Sequence, residues 1–145
     1  MPNAATSEFS AERIKHLEFI QAVVSRLGTS SFLVKGWALT ISAAFFAVTA
    51  SKLNWGVSTA ALVPILAFWY LDAFFLRQER AFRCLYDEVR RPDSALEMFS
   101  MNVGHFLRSN SWRSVALSST MCAFYLPLVA IDLAFIGAGV ATDLS

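Results

Sequence analysis

FWYLDAFFLRQERAFRCLYDEVRR, residues 68–91, decides how this chain is built. Its first half is apolar enough for lipid, apart from Asp72. Its second half carries arginines and acids at a density that a hydrocarbon core does not accept. One helix that crosses a membrane and continues into water accounts for both halves. Phe75, Phe82, Leu85 and Val89 line one side of the continuation, and Arg77, Glu79, Arg80, Arg83, Asp87 and Arg90 occupy the other, which is helical periodicity. Pro92 predicts the end of that helix.

Composition agrees with the membrane reading. Of the 145 residues, 56% are hydrophobic and 16% are charged, against about 25% charged in soluble domains. Mean hydropathy is +0.50. A net charge of +1 points to no partner by itself. Cys84 and Cys122 have neither metal-ligand nor disulfide spacing and read as free thiols. The N-terminal stretch lacks the basic-then-apolar order of a secretory signal, so the first apolar span is expected to act as its own insertion signal.

Three stretches reach the roughly 20 apolar residues a crossing requires. They are SFLVKGWALTISAAFFAVTA (31–50), GVSTAALVPILAFWYLDAFFL (56–76) and SVALSSTMCAFYLPLVAIDLAFIGAGV (114–140). Pro64 and Pro127 fall inside the second and third, where membrane helices tolerate them. Ahead of the first, Ser7 to Leu27 reads as an amphipathic helix with Ile14, Leu17, Ile20, Val24 and Leu27 on its stripe, and Gly28 is the expected stop. Beyond Pro92, SALE (94–97) has capping-box spacing. It predicts a second short helix from Ser94 through about Leu107, with Met98, Met101 and Phe106 on its apolar side. Asn110 or Ser111 is the expected cap of the third span.

The expected fold is therefore an all-α membrane protein with three transmembrane helices. An N-terminal cytosolic or interfacial amphipathic helix covers residues 1–30, a transmembrane hairpin 31–77, a cytosolic helical region 78–113, the third transmembrane helix 114–140 and a short external tail 141–145. Basic residues set the orientation. Arg13, Lys15, Arg26, Arg77, Arg80, Arg83, Arg90, Arg91, Arg108 and Arg113 fall on one side and only Lys52 on the other. The N-terminus is expected inside and the C-terminus outside.

Two readings of the arginines stand side by side. They satisfy the positive-inside rule and pair within the helix, as Glu79 with Arg83 or Asp87 with Arg90 or Arg91. Alternatively they form an anionic-ligand surface, since guanidinium forks bind phosphate and Phe82, Tyr86 and Trp112 could stack on bases. Lys35 and Asp72 reach similar depth on adjacent antiparallel helices at about 1.5 Å per residue. A salt bridge between them is the economical account, and a place on a wet, gated path the alternative. Asp132 lies deep in the third span. It either pairs with Lys52 or, in an oligomer, rings a central axis and favours cations. His16 and His105 have no partners at ligand spacing, and no phosphate loop, nucleophile elbow or metal motif occurs. No enzyme activity, cofactor or metal is expected.

SSFLVKGWALT (30–40) and FWYLDAFFLRQERAFRCLYDEVR (68–90) resemble the small membrane effectors of bacterial antiphage systems, in particular the HalB-type effectors of the two-gene Hailong system, related in design to SLATT-domain effectors. The resemblance covers roughly residues 14 to 135. It implies a multi-pass protein of the bacterial inner membrane that forms a homo-oligomer, with a tetramer expected, and opens a pore that depolarises the infected cell. It further implies a partner nucleotidyltransferase whose single-stranded DNA oligomers hold the effector closed; in related effectors the trigger is a cyclic nucleotide or a protein. Carried onto this chain, the candidate polyanion surface is Arg77, Arg80, Arg83, Arg90 and Arg91, with Phe82 and Tyr86 for stacking. Lys35 and Asp72 are the candidate charge pair or gate, and Asp132 the candidate pore-lining residue. The alternative function is a non-channel anchor that recruits a soluble partner through its cytosolic helices.

Overall fold

A computed structural model of the chain describes residues 10–51, 54–97 and 99–144. The described residues form five helices and no strand: α1 (Ala11–Ser51), α2 (Trp55–Val89), α3 (Gly104–Ser109), α4 (Trp112–Ala116) and α5 (Ser119–Asp143). Three of them, α1, α2 and α5, are long and apolar enough to cross a membrane. The predicted start at Ser7, the hairpin residue Lys52 and the predicted apolar Met98 lie outside the described residues.

α1 and α2 make an antiparallel hairpin. Its tip is set by Asn54, whose side chain accepts from the N–H groups of Gly56 and Val57 and so caps α2. α5 runs antiparallel to α2 and parallel to α1: Trp69 Nε1–H donates to the Ala116 carbonyl at one end, and Gly139 abuts Trp55 at the other. Each long helix contributes one buried stripe. On α1 it is His16, Ile20, Val24, Ser31, Val34, Ala38, Ser42 and Thr49; on α5 it is Met121, Tyr125, Leu128, Asp132 and Gly139. The stripes meet in two clusters. Ile20, Val24, Ala81, Leu85, Val89 and Val103 pack at the end that carries the charged residues, here termed the polar end. Ala38, Ile65, Ala73, Met121, Tyr125 and Leu128 pack between the spanning stretches.

The predicted stop at Gly28 is not taken, so the expected boundary at residue 30 falls inside a 41-residue helix. Glycine in a helix interior costs about 1 kcal/mol, and Ile20, Val24 and Val34 packing on both sides outweighs it. The hydroxyls of Thr29 and Ser30 fold back onto the carbonyls of Ser25 and Arg26 within the same helix. α1 is about 60 Å long, twice the thickness of a hydrocarbon core. α2 keeps its helical path past Arg77 to Val89, as the periodicity predicts.

The helix predicted from Ser94 does not form; only Gly104–Ser109 is helical there. Ser94 Oγ accepts from the N–H of Leu96, two residues on, closing a turn instead of capping a helix. Phe99 adopts a left-handed backbone (φ 62°), and the Ser100 carbonyl is taken by His16. The third span also begins later than predicted. Ser111 does cap a helix, but that helix is the short α4. The chain breaks at Leu117 and Ser118, where Trp69 holds the Ala116 carbonyl, and restarts as α5. The expected tail from residue 141 is helical to Asp143.

Candidate functional site

Charged and hydroxyl side chains are sealed along the interior of the three long helices. Asp72 is the best satisfied. Its Oδ2 lies 2.5 Å from the Lys35 ammonium, and its Oδ1 accepts from the Ser31 hydroxyl. Lys35 also donates to Ser31 Oγ at 3.1 Å. Tyr125 of α5 stands beside the same carboxylate and donates its own proton to the Phe68 carbonyl at 3.2 Å. Asp72 is 0% exposed and the Lys35 side chain 20%. The predicted pair therefore exists, and it has become a four-residue knot joining the three long helices.

Asp132 differs in kind. It is fully buried, and neither carboxylate oxygen has a hydrogen-bond partner among the described residues. It lies on the buried stripe of α5 with Tyr125 and Leu128, not on the outer surface of that helix. Ser42 on α1 is likewise buried with an unpartnered hydroxyl. Nearer the hairpin tip, Ser58 Oγ donates to Thr49 Oγ1 at 3.4 Å, both side chains buried.

At the polar end the arginines part company. Arg77 is spent on structure: its Nε donates to the Asn110 carbonyl at 2.9 Å and its Nη2 to the Leu107 carbonyl at 2.7 Å. This fork satisfies the C-terminal carbonyls of α3, which a helix end must place somewhere. Arg83 pairs with Glu79 at 2.6 Å, as expected. Arg91 pairs at 3.1 Å with Glu88, not with Asp87. Both guanidiniums stay about two-thirds exposed (66% and 64%); the Arg91–Glu88 bond is weak and readily exchanged for a phosphate, whereas Glu79 is buried and keeps Arg83 as its counter-charge. Arg80 and Arg90 have no ion pair among the described residues. Phe82 and Tyr86 are partly buried against the polar-end core. The Tyr86 edge borders a shallow apolar groove with Ile14, Leu17, Glu18 and Gln21.

Two residues take structural roles that the sequence did not point to. His16 is buried and its Nε2–H donates to the Ser100 carbonyl at 3.0 Å, pinning the irregular segment to α1. Trp112 stacks obliquely on Tyr70 with ring centroids 4.8 Å apart. Among the described residues no cluster of His, Cys, Asp and Glu is arranged to hold a metal ion. Comparison with family models, curated proteins and solved structures returns no match.

Proposed function

We propose that the chain is one subunit of an oligomeric, pore-forming or channel-like effector of bacterial antiphage defence, seated in the inner membrane with its N-terminus in the cytoplasm. A single-stranded DNA oligomer or a nucleotide gates it from the polar end, and the open state depolarises the membrane. The observation that carries this reading is the run of buried polar groups between the spanning stretches: Thr49 and Ser58, Ser42 and Asp132, then Asp72 with Lys35 and Ser31. Ionisable groups are costly at that depth and mark ion paths. The exposed guanidiniums of Arg83, Arg90 and Arg91, with half-buried Arg80, suit a phosphate backbone. Small residues on the outer faces, including Gly36 and Thr40 on α1 and Ala134, Gly137 and Ala138 on α5, suit close approach of a second subunit. A nucleotidyltransferase is the expected source of the ligand.

A second reading is an anchor that recruits a soluble protein through its polar end. The apolar groove beside Tyr86 favours it. Purified protein in planar bilayers distinguishes the two. A pore gives unitary currents that Asp132→Asn alters without changing assembly on size exclusion. No conductance under any condition, together with co-purification of a soluble enzyme, selects the anchor.

A further inference from the structure

Asp132 and Ser42 share one level of the bundle. Phe46 on α1 and Phe135 on α5 touch, with ring centroids 5.7 Å apart, and these helices run parallel. Ser42 precedes Phe46 by four residues and Asp132 precedes Phe135 by three, drops of about 6 Å and about 4.5 Å. Both lie on the buried stripe of their helix, and among the described residues all their side-chain oxygens lack a hydrogen-bond partner. The space around them is closed at both ends. Towards the hairpin tip, Gly139 packs so tightly on Trp55 that an added Cβ would lie 2.9 Å from its backbone nitrogen. Towards the polar end, Ile65, Tyr125 and Leu128 form an apolar plug, beyond which Asp72 already has its own cation.

Among the described residues no cation lies on the stretches of α1, α2 and α5 at the level of Asp132. From Gly36 to Ser51 on α1, and from Trp55 to Trp69 on α2, no side chain titrates. On α5 the other titratable groups are Cys122, Tyr125 and Asp143, and Lys52 lies outside the described residues. A carboxylate in such surroundings requires a counter-charge, and buried polar groups in native proteins are almost always satisfied. We infer that Asp132 and Ser42 form a binding site for one small monovalent cation, a proton or Na⁺, within each protomer. The carboxylate supplies the charge. The Ser42 hydroxyl, an acceptor with two lone pairs, supplies a further oxygen ligand when the cation is Na⁺. The site rests on the spanning reading of α1, α2 and α5 and not on conduction, so it stands or falls separately from the channel.

The test is labelling by dicyclohexylcarbodiimide, an apolar reagent that enters membrane interiors and adds to a protonated carboxyl to leave a stable N-acylurea. Full-length protein in liposomes is treated over a range of pH, with Na⁺ or choline at equal ionic strength, and the label is mapped by peptide mass. Label on Asp132 that Na⁺ suppresses at constant pH, and that Ser42→Ala makes harder to suppress, identifies a Na⁺ site. Label that ignores Na⁺ but is lost as pH rises identifies a proton site. Three outcomes overturn the inference: no label on Asp132 at any pH, label that neither pH nor Na⁺ alters, or label that appears only in Lys52→Gln. The last would mean that Asp132 is half of a structural ion pair.

Discussion

Lys35 and Asp72 meet 2.5 Å apart inside the bundle, with the carboxylate fully buried and the ammonium nearly so. Asp72 is sealed from solvent with Lys35 as its counter-charge, so removing the ammonium strands the carboxylate. Breaking a buried pair typically costs about 3–5 kcal/mol, whereas replacing both partners by apolar groups of similar size is often neutral or stabilising. Lys35→Met and Asp72→Leu are each expected to lower the melting temperature in detergent sharply, and the double variant to recover most of the loss. Additive losses in the double variant would mean that the two charges are not coupled.

Arg77 is expected to behave as a structural residue, not a ligand residue. Its two hydrogen bonds to the Leu107 and Asn110 carbonyls are charge-assisted, worth about 1.5–3 kcal/mol each. Arg77→Gln should therefore raise amide hydrogen exchange across residues 104–118 while leaving the hairpin tip protected. Arg77→Lys should rescue only part of this, because an ammonium cannot present the planar fork.

The polyanion surface is expected to centre on Arg80, Arg83, Arg90 and Arg91. For single-stranded DNA the logarithm of the affinity falls with the logarithm of salt by about 0.7 per phosphate contact. Replacing Arg80 and Arg90 by Gln should flatten that slope by roughly this amount per residue, measured by fluorescence anisotropy of a labelled oligonucleotide. A purified protein with no salt-sensitive affinity for oligonucleotides would remove the nucleic-acid ligand from the proposal.

Three glycines test the helix packing. An added Cβ at Gly28 would lie 3.8 Å from Glu79 Oε2, an ordinary contact. Gly28→Ala should stabilise the uninterrupted α1 by up to about 1 kcal/mol. At Gly137 nothing lies within 4 Å, and alanine should leave protomer stability unchanged. At Gly139 the added atom meets the Trp55 backbone, and the overpacking should cost about 1–3 kcal/mol. Thermal unfolding of the three variants side by side gives the ranking.

Local and periodic features were legible from sequence. The three apolar stretches, the continuation of α2 to Val89 and the Lys35–Asp72 pair follow from hydropathy and from helix rise on neighbouring antiparallel segments. What escaped depends on contacts between distant residues. Gly28 reads as a stop by local propensity, yet packing on either side carries the helix through it. SALE has the spacing of a cap, but the Ser94 hydroxyl is used in a turn and His16, 84 residues from Ser100 in sequence, holds the segment irregular. The Arg77 fork spans 30 and 33 residues, beyond any local pattern. α5 is apolar on nearly every side, so only the structure shows that Asp132 shares its inward stripe with Tyr125 and Leu128.

The unbroken run of α1 from Ala11 to Ser51 has a mechanical consequence. With no hinge at Gly28, the charged half and the apolar half form one stiff rod, and the Lys35–Asp72 knot sits near its middle like a fulcrum. Any tilt of the polar-end arm about that point would swing Ser42 and Thr49 the opposite way. In the proposed gating, such a rod would serve as a lever already built into the first helix, with no relay of loops between its two ends.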